Sequence, residues 1–225
     1  MNEAWLKVKV WDGWVRLFHW SIVLLVIAQY VTAELSLMAW HFRCGYLVLA
    51  LLVFRLGWGL VGSDTARFAR FLKSPLEALA HLKHLTRREP DTEVGHNAAG
   101  GWMVLGLLAL LLAQVATGLF ANEEPGESYA AHGPFALQVG DALSAGLTEL
   151  HELGFNLLLV AIGLHVAAVL AYAVLKRHDL VRPMVTGFKQ LPASIPAPRL
   201  GHPLLAVALL ALGLGLAWWL STQGG

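Results

Sequence analysis

Four histidines lie inside long apolar runs of the sequence, where an ionisable side chain is costly and usually functional. His151 and His165 stand fourteen residues apart on one such run, residues 150–173. Fourteen residues are just under four helical turns, so both rings would leave a helix on nearly the same face, roughly 21 Å apart along its axis. One ring would then lie towards each surface of a bilayer, whose apolar core is about 30 Å thick. His19 and His41 stand early in two other apolar runs.

The composition of the chain places these runs in a membrane. Of the 225 residues, 57% are apolar and 14% are charged, whereas a soluble domain has about 25% charged residues. The apolar runs predict an all-α integral membrane protein, with a four-helix transmembrane bundle in a core at 14–176 and an additional C-terminal transmembrane helix. The predicted spans are residues 14–33, 39–61, 97–121, 150–176 and 204–220.

The charges around these spans predict their orientation. A cytoplasmic N-terminus would place three segments in the cytoplasm: the lead at 1–13, an amphipathic segment at 63–94 and a connection at 177–203. Of the 16 basic residues, only Arg43 then falls on the other face. The periplasmic loop at 122–149 is acidic and has no Lys or Arg. By the positive-inside rule we expect a cytoplasmic N-terminus and a periplasmic C-terminus.

Depth sorts the four histidines into two pairs. His41 and His151 would lie near the outer surface, and His19 and His165 near the inner one. A single histidine in a membrane often only hydrogen-bonds a neighbouring helix. Four histidines at matched depths, on three different spans, are more typical of two metal centres.

The residue types at these positions favour haem over zinc. Zinc needs three or four ligands at one ion, and the two pairs are too far apart to share one. Two histidines per site suit a haem b with one axial ligand on each side of the iron. Small residues that lie about one turn from the histidines would make room for the haem. They are Gly45, Gly154 and Ala161. The haem would be non-covalent, because the sequence has no Cys-x-x-Cys-His motif and a single cysteine, Cys44.

Five short segments around these residues carry a family signature. They are Arg16–Trp20 (RLFHW), Trp40–Tyr46 (WHFRCGY), Gly95–Asn97 (GHN), Leu150–Glu152 (LHE) and Ile162–His165 (IGLH). Together they resemble the bacterial cytochrome b561 family and the related b-type cytochrome subunit of nickel-iron hydrogenase, over about residues 10–190. The resemblance implies a four-helix bundle with two haem b groups in the bacterial inner membrane, passing electrons between the quinone pool and a partner. It also implies that the axial ligands are His19, His41, His151 and His165.

Other residues are candidates for binding the rest of the cofactor or a quinone. Arg43 is the candidate for the propionates of the outer haem, and Arg16 and Arg55 for those of the inner one, although each arginine could instead extend to lipid headgroups. His96 and Asn97, before the third span, could bind or protonate a quinone. Asn97 is also an ordinary helix cap.

These features together predict a di-haem cytochrome that carries electrons between a periplasmic redox partner, such as a cytochrome c or another redox subunit, and membrane quinone. Two alternatives stay open. The chain could be a superoxide oxidase that reduces quinone, or a haem-bearing membrane anchor subunit of a larger oxidoreductase such as a hydrogenase. Lipid, quinone and a redox protein are the expected partners, and nucleic acid is not. His81 and His84 are three residues apart, which could suit a metal, but a solvated helix face is the favoured interpretation.

Overall fold

The computed structural model describes residues 4–83, 87–122 and 131–223. In chain order, its elements are β1 (Trp5–Lys9), α1 (Gly13–Glu34), α2 (Met38–Val61), α3 (Phe68–Phe71), α4 (Pro75–Lys83), α5 (Ala98–Gly118), α6 (Asp141–Ala171), α7 (Val181–Thr186), β2 (Phe188–Pro192) and α8 (Pro203–Ser221). A 3-10 turn, Ala136–Gln138, precedes α6, and a π-helical turn, Tyr172–Lys176, continues it.

Five of the helices, α1, α2, α5, α6 and α8, are long and apolar enough to cross a membrane. Large apolar side chains on them are widely exposed, for example Leu24 at 68% and Trp218 at 72%. Soluble monomers rarely expose apolar patches of such extent, so these faces are suited to lipid. The prediction of an all-α membrane bundle with a fifth, C-terminal helix is confirmed, and the chain is a multi-pass membrane protein.

The helix that carries His151 and His165 is longer than predicted. It begins at Asp141 rather than near residue 150, so the predicted loop at 122–149 ends in helical turns. Asp141 lies in the first turn, where a carboxylate interacts favourably with the helix dipole. The acidic residues of this loop at 123, 124 and 127 lie outside the described residues.

Two short strands were absent from the prediction. No strand was predicted in the lead at 1–13, but its β1 pairs antiparallel with β2, from Trp5 opposite Pro192 to Lys9 opposite Phe188. The partner strand belongs to the predicted connection at 177–203. The two strands are far apart in sequence and short, so no local pattern indicated that they would pair.

The chain divides into two compact units. The first unit comprises Met1–Phe18, Arg55–Gly106 and Ala161–Ala206, and the second comprises His19–Phe54, Leu107–Val160 and Val207–Gly225.

In the first unit, Asp12 joins the start of α1 to the end of α2. Its Oδ1 accepts a hydrogen bond from the Val15 backbone N–H at 2.7 Å, which caps α1. Its Oδ2 accepts one from Trp58 Nε1 at 3.1 Å. Asp12 also interacts electrostatically with Arg55, which is only 3% exposed. One buried carboxylate therefore caps a helix and balances a buried cation.

Replacing Asp12 with alanine is expected to destabilise the protein by about 3 kcal/mol, because it removes a cap and leaves a buried charge without its counter-charge. Thermal unfolding in detergent measures the change. Ser74→Ala is the matched control, since Ser74 Oγ also caps a helix, accepting from the Glu77 N–H at 3.2 Å, but at an exposed site. Its cost should be about 1 kcal/mol. Equal losses in the two variants would show that Arg55 does not depend on Asp12.

In the second unit, α8 packs closely on α2. A Cβ at Gly213 would lie 2.3 Å from the backbone oxygen of Ala50, so only glycine allows the two backbones to approach this closely. The fifth helix is therefore packed against the bundle at this point.

Candidate functional site

His41 and His151 face each other within the second unit. His41 is on α2 and His151 on α6, and their ring centroids are 6.2 Å apart with the ring planes at 75°. This separation leaves room for one metal ion bonded to a nitrogen of each ring at roughly 2 Å. The two histidines that the sequence paired by depth near the outer surface thus lie together.

The hydrogen bonds of these two rings fix which nitrogen carries a donated hydrogen. His41 Nδ1 lies 3.2 Å from the backbone oxygen of Gln29, and His151 Nδ1 lies 2.9 Å from that of Gln114. A carbonyl oxygen can only accept, so each Nδ1 carries the hydrogen and donates it. A neutral imidazole with its hydrogen on Nδ1 carries its lone pair on Nε2, as in histidines that bind a metal.

The two rings line a cavity of about 450 Å³, within the size range of cofactor and ligand sites. Its walls are mainly apolar and aromatic, and include Phe42, Phe155 and Leu158. Among the described residues, no group of three or more His, Cys, Asp or Glu side chains could hold a metal ion. Two imidazoles that border a mainly apolar cavity fit a haem held by two histidines.

Glycines around the cavity allow close packing, but not all in the way predicted. Gly45 and Gly154 were expected to make room for a cofactor. A Cβ at Gly45 would instead lie 3.3 Å from Gln29 Nε2, and one at Gly154 would lie 2.7 Å from Gln114 Oε1. These two glycines accommodate glutamine side chains. The glycine that adjoins a histidine ring is Gly118, where a Cβ would come within 2.8 Å of His151 Cε1.

Gln29, Gln114 and Gly118 were not predicted from the sequence. A signal for the glutamines was present, because the pattern Ala-Gln-x-x-Thr occurs twice, at residues 28–32 on α1 and 113–117 on α5. Each copy supplies the carbonyl that holds one of the two facing histidines.

The inner histidines are placed on the expected helices. His19 lies on α1 and belongs to the second unit, and its ring meets Trp20 edge-on at 4.9 Å. His165 lies on α6 and belongs to the first unit. Both side chains are half-buried. The pairing of His19 with His165 stays a prediction.

The three arginines proposed for haem propionates have different surroundings. Arg43 is exposed, and its guanidinium carbon lies 4.9 Å from the ring centroid of Trp40. Arg16 Nη1 donates to the backbone oxygen of Val185 at 2.6 Å. Arg55 Nη1 donates to that of Ala66 at 3.3 Å. Their role towards a cofactor stays a prediction.

His96 and Asn97 lie at the start of α5 in the first unit. Asn97 Oδ1 accepts a hydrogen bond from the Gly100 N–H at 2.8 Å, so Asn97 caps this helix, as its residue type allows. The His96 ring lies 4.7 Å from that of Trp11 and 4.6 Å from that of Phe71. Their role towards a quinone stays a prediction.

The favoured interpretation of His81 as part of a solvated helix face needs a correction. Its Nε2 is hydrogen-bonded to Tyr172 Oη, and the two rings are stacked. His81 therefore ties α4 to the end of the helix that carries His165. His84 lies outside the described residues.

Comparison with known proteins shows the family of the chain. Residues 10–187 match the family model of prokaryotic cytochrome b561. The chain belongs to the prokaryotic cytochrome b561 family. One relative of this b561-family chain is a probable Ni/Fe-hydrogenase B-type cytochrome subunit from Rhizobium leguminosarum bv. viciae. The alignment extends over 214 positions at 26% identity and covers 80% of this chain and 88% of the relative. No solved structure matches the chain.

Membership of the b561 family makes the chain a membrane b-type cytochrome, a haem b protein of electron transport. The resemblance deduced from the five sequence segments is thereby confirmed. The rings of His41 and His151 are far enough apart to leave room for one metal ion between them.

Proposed function

We propose that this b561-family protein holds two haem b groups and relays electrons between a redox partner on the periplasmic side and quinone in the bacterial inner membrane. The observation that carries the proposal is the pair of facing rings, His41 and His151. Both donate from Nδ1 to backbone carbonyls, and both border an apolar cavity of about 450 Å³.

The residues of this chain would hold the haem of such a relay. His41 and His151 would bind its iron through their Nε2 atoms, and a haem iron held by two histidines favours electron transfer over oxygen binding. The mainly apolar walls of the cavity would pack against the haem, which would supply the one-electron couple. Each Nδ1 would keep the hydrogen that it donates to a backbone carbonyl.

Three parts of the proposal are supported by the sequence alone. They are the second haem, the orientation of the chain in the membrane and the quinone site. His19 and His165 are the ligands proposed for the inner haem, by their matched depth. The uneven distribution of Lys and Arg supports a cytoplasmic N-terminus and a periplasmic C-terminus. His96 and Asn97 remain the candidates for quinone, with Asn97 acting as a helix cap in addition.

A second candidate function is supported by the relative from Rhizobium. That protein is described as a probable cytochrome subunit of a Ni/Fe hydrogenase, and its similarity extends over most of both chains. This chain would then receive electrons from a hydrogenase bound at the membrane. The two candidates differ in the electron donor and share the haem site.

The test is haem quantitation and quinol reactivity of the purified chain. We expect pyridine haemochrome analysis to give two haems b per chain, and a quinol analogue to reduce them without any other subunit. One haem per chain would contradict the di-haem proposal. Two haems that a quinol cannot reduce, but that a bound hydrogenase does reduce, would select the subunit function.

A further inference from the structure

The two Ala-Gln-x-x-Thr segments form matching sites around the facing histidines. In the first, on α1, Gln29 provides its backbone oxygen to His41. In the second, on α5, Gln114 provides its backbone oxygen to His151. The threonines at the ends of the two segments, Thr32 and Thr117, contact the same two rings.

The hydroxyls of the two threonines present acceptors to the rings. Thr32 Oγ1 lies 2.7 Å from the backbone oxygen of Ala28, and Thr117 Oγ1 lies 2.8 Å from that of Ala113. A hydroxyl has one hydrogen, and here it is donated to the backbone of the preceding turn. Only oxygen lone pairs are left for the histidine.

Each ring Nδ1 is therefore close to two acceptors. His151 Nδ1 is 3.1 Å from Thr117 Oγ1 as well as 2.9 Å from the Gln114 oxygen. His41 Nδ1 is 3.4 Å from Thr32 Oγ1 as well as 3.2 Å from the Gln29 oxygen. The contacts of His151 are shorter, so the second acceptor should have the larger effect there.

We propose that Thr32 and Thr117 are positioning residues that tune one and the same haem, by accepting from the Nδ1–H of its two axial histidines. This proposal rests on the proposed bis-histidine haem. Acceptance at Nδ1 raises the basicity of the ligating Nε2, which stabilises the ferric iron and lowers the reduction potential. Hydrogen bonding behind an axial ligand is one of the ways in which a protein sets haem potential.

The test removes each hydroxyl while keeping the shape of the side chain. In Thr117→Val the reduction potential of one haem should rise. At a fixed ambient potential, the ratio of reduced to oxidised haem should then increase by up to about tenfold, which corresponds to 59 mV for one electron. Thr32→Val should raise the same midpoint by less. The double variant should raise that midpoint further and leave the other haem unchanged. Spectroelectrochemical titration measures both midpoints.

Two controls separate tuning from a structural effect. Thr117→Ser restores the hydroxyl and should return the midpoint towards that of the unchanged protein. Thr186→Val removes a hydroxyl that makes the same kind of backbone bond, to the Arg182 oxygen at 2.9 Å, but it lies on α7 in the first unit, whereas both rings belong to the second unit. It should leave both midpoints unchanged.

The outcomes separate this proposal from the proposed function. Two haems per chain with midpoints that neither valine variant moves would overturn the tuning role alone. If the two variants moved the midpoints of different haems, the two histidines would not share an iron. Absence of haem from the unchanged protein would overturn the proposed function itself.

Discussion

Alanine at His41 or at His151 is expected to remove one haem and leave the other, so that the haem content falls from two per chain to one. Both variants should lose the same haem, because the two rings face each other at 6.2 Å and an iron held by one histidine alone loses an axial bond. The remaining haem should keep its absorption spectrum. Pyridine haemochrome quantitation and redox difference spectra of the purified variants measure this.

Two further variants make the loss of haem specific to ligation. His202→Ala removes an exposed histidine at the start of α8 and should retain both haems. His151→Gly, supplied with free imidazole, should recover the missing haem, because the free base can occupy the vacated position. Retention of two haems in both His41→Ala and His151→Ala would show that these rings are not the ligands.

Alanine at Gly118 is the second change with a large expected effect. Its Cβ would lie 2.8 Å from His151 Cε1, closer than carbon atoms can approach, so the ring must move. Displacing the ring also disturbs its 2.9 Å bond to the Gln114 oxygen. Changes in such supporting contacts typically weaken metal binding by roughly 10- to 100-fold. We expect the affinity for the outer haem to fall by a similar factor. Haem transfer to apomyoglobin measures this loss.

The same helix offers a matched control. Gly106 is also on α5, and a Cβ there meets nothing within 4 Å. Gly106→Ala should retain haem as the unchanged protein does, and the two variants differ from their parent by the same single methyl group. Equal haem affinity in both variants would show that the ring of His151 is not held against α5.

The sequence was sufficient for the features that depend on local composition. Hydropathy located five membrane helices, because an apolar run of sufficient length crosses a bilayer whatever its neighbours are. Position within those runs matched His41 with His151 in depth, and the structure places their rings together. The residue types around the histidines indicated a b-type cytochrome, and the family match agrees.

Features that depend on the rotation of a helix about its axis required the tertiary structure. The repeated Ala-Gln-x-x-Thr pattern marks Gln29 and Gln114, but every residue has a backbone oxygen, so the pattern could not indicate that theirs face the rings. The same holds for Gly118, which adjoins a ring, while Gly45 and Gly154 adjoin glutamines. The pairing of β1 with β2 joins distant segments, and no local pattern indicates it.

The family of the chain and the pairing of His41 with His151 thus follow from the sequence alone, since both depend on residue type and on distance along a helix. Which nitrogen of each ring donates a hydrogen follows only from the packing of α1 on α2 and of α5 on α6. Side-chain contacts decide that packing, and they set the rotation that brings one particular carbonyl to each imidazole.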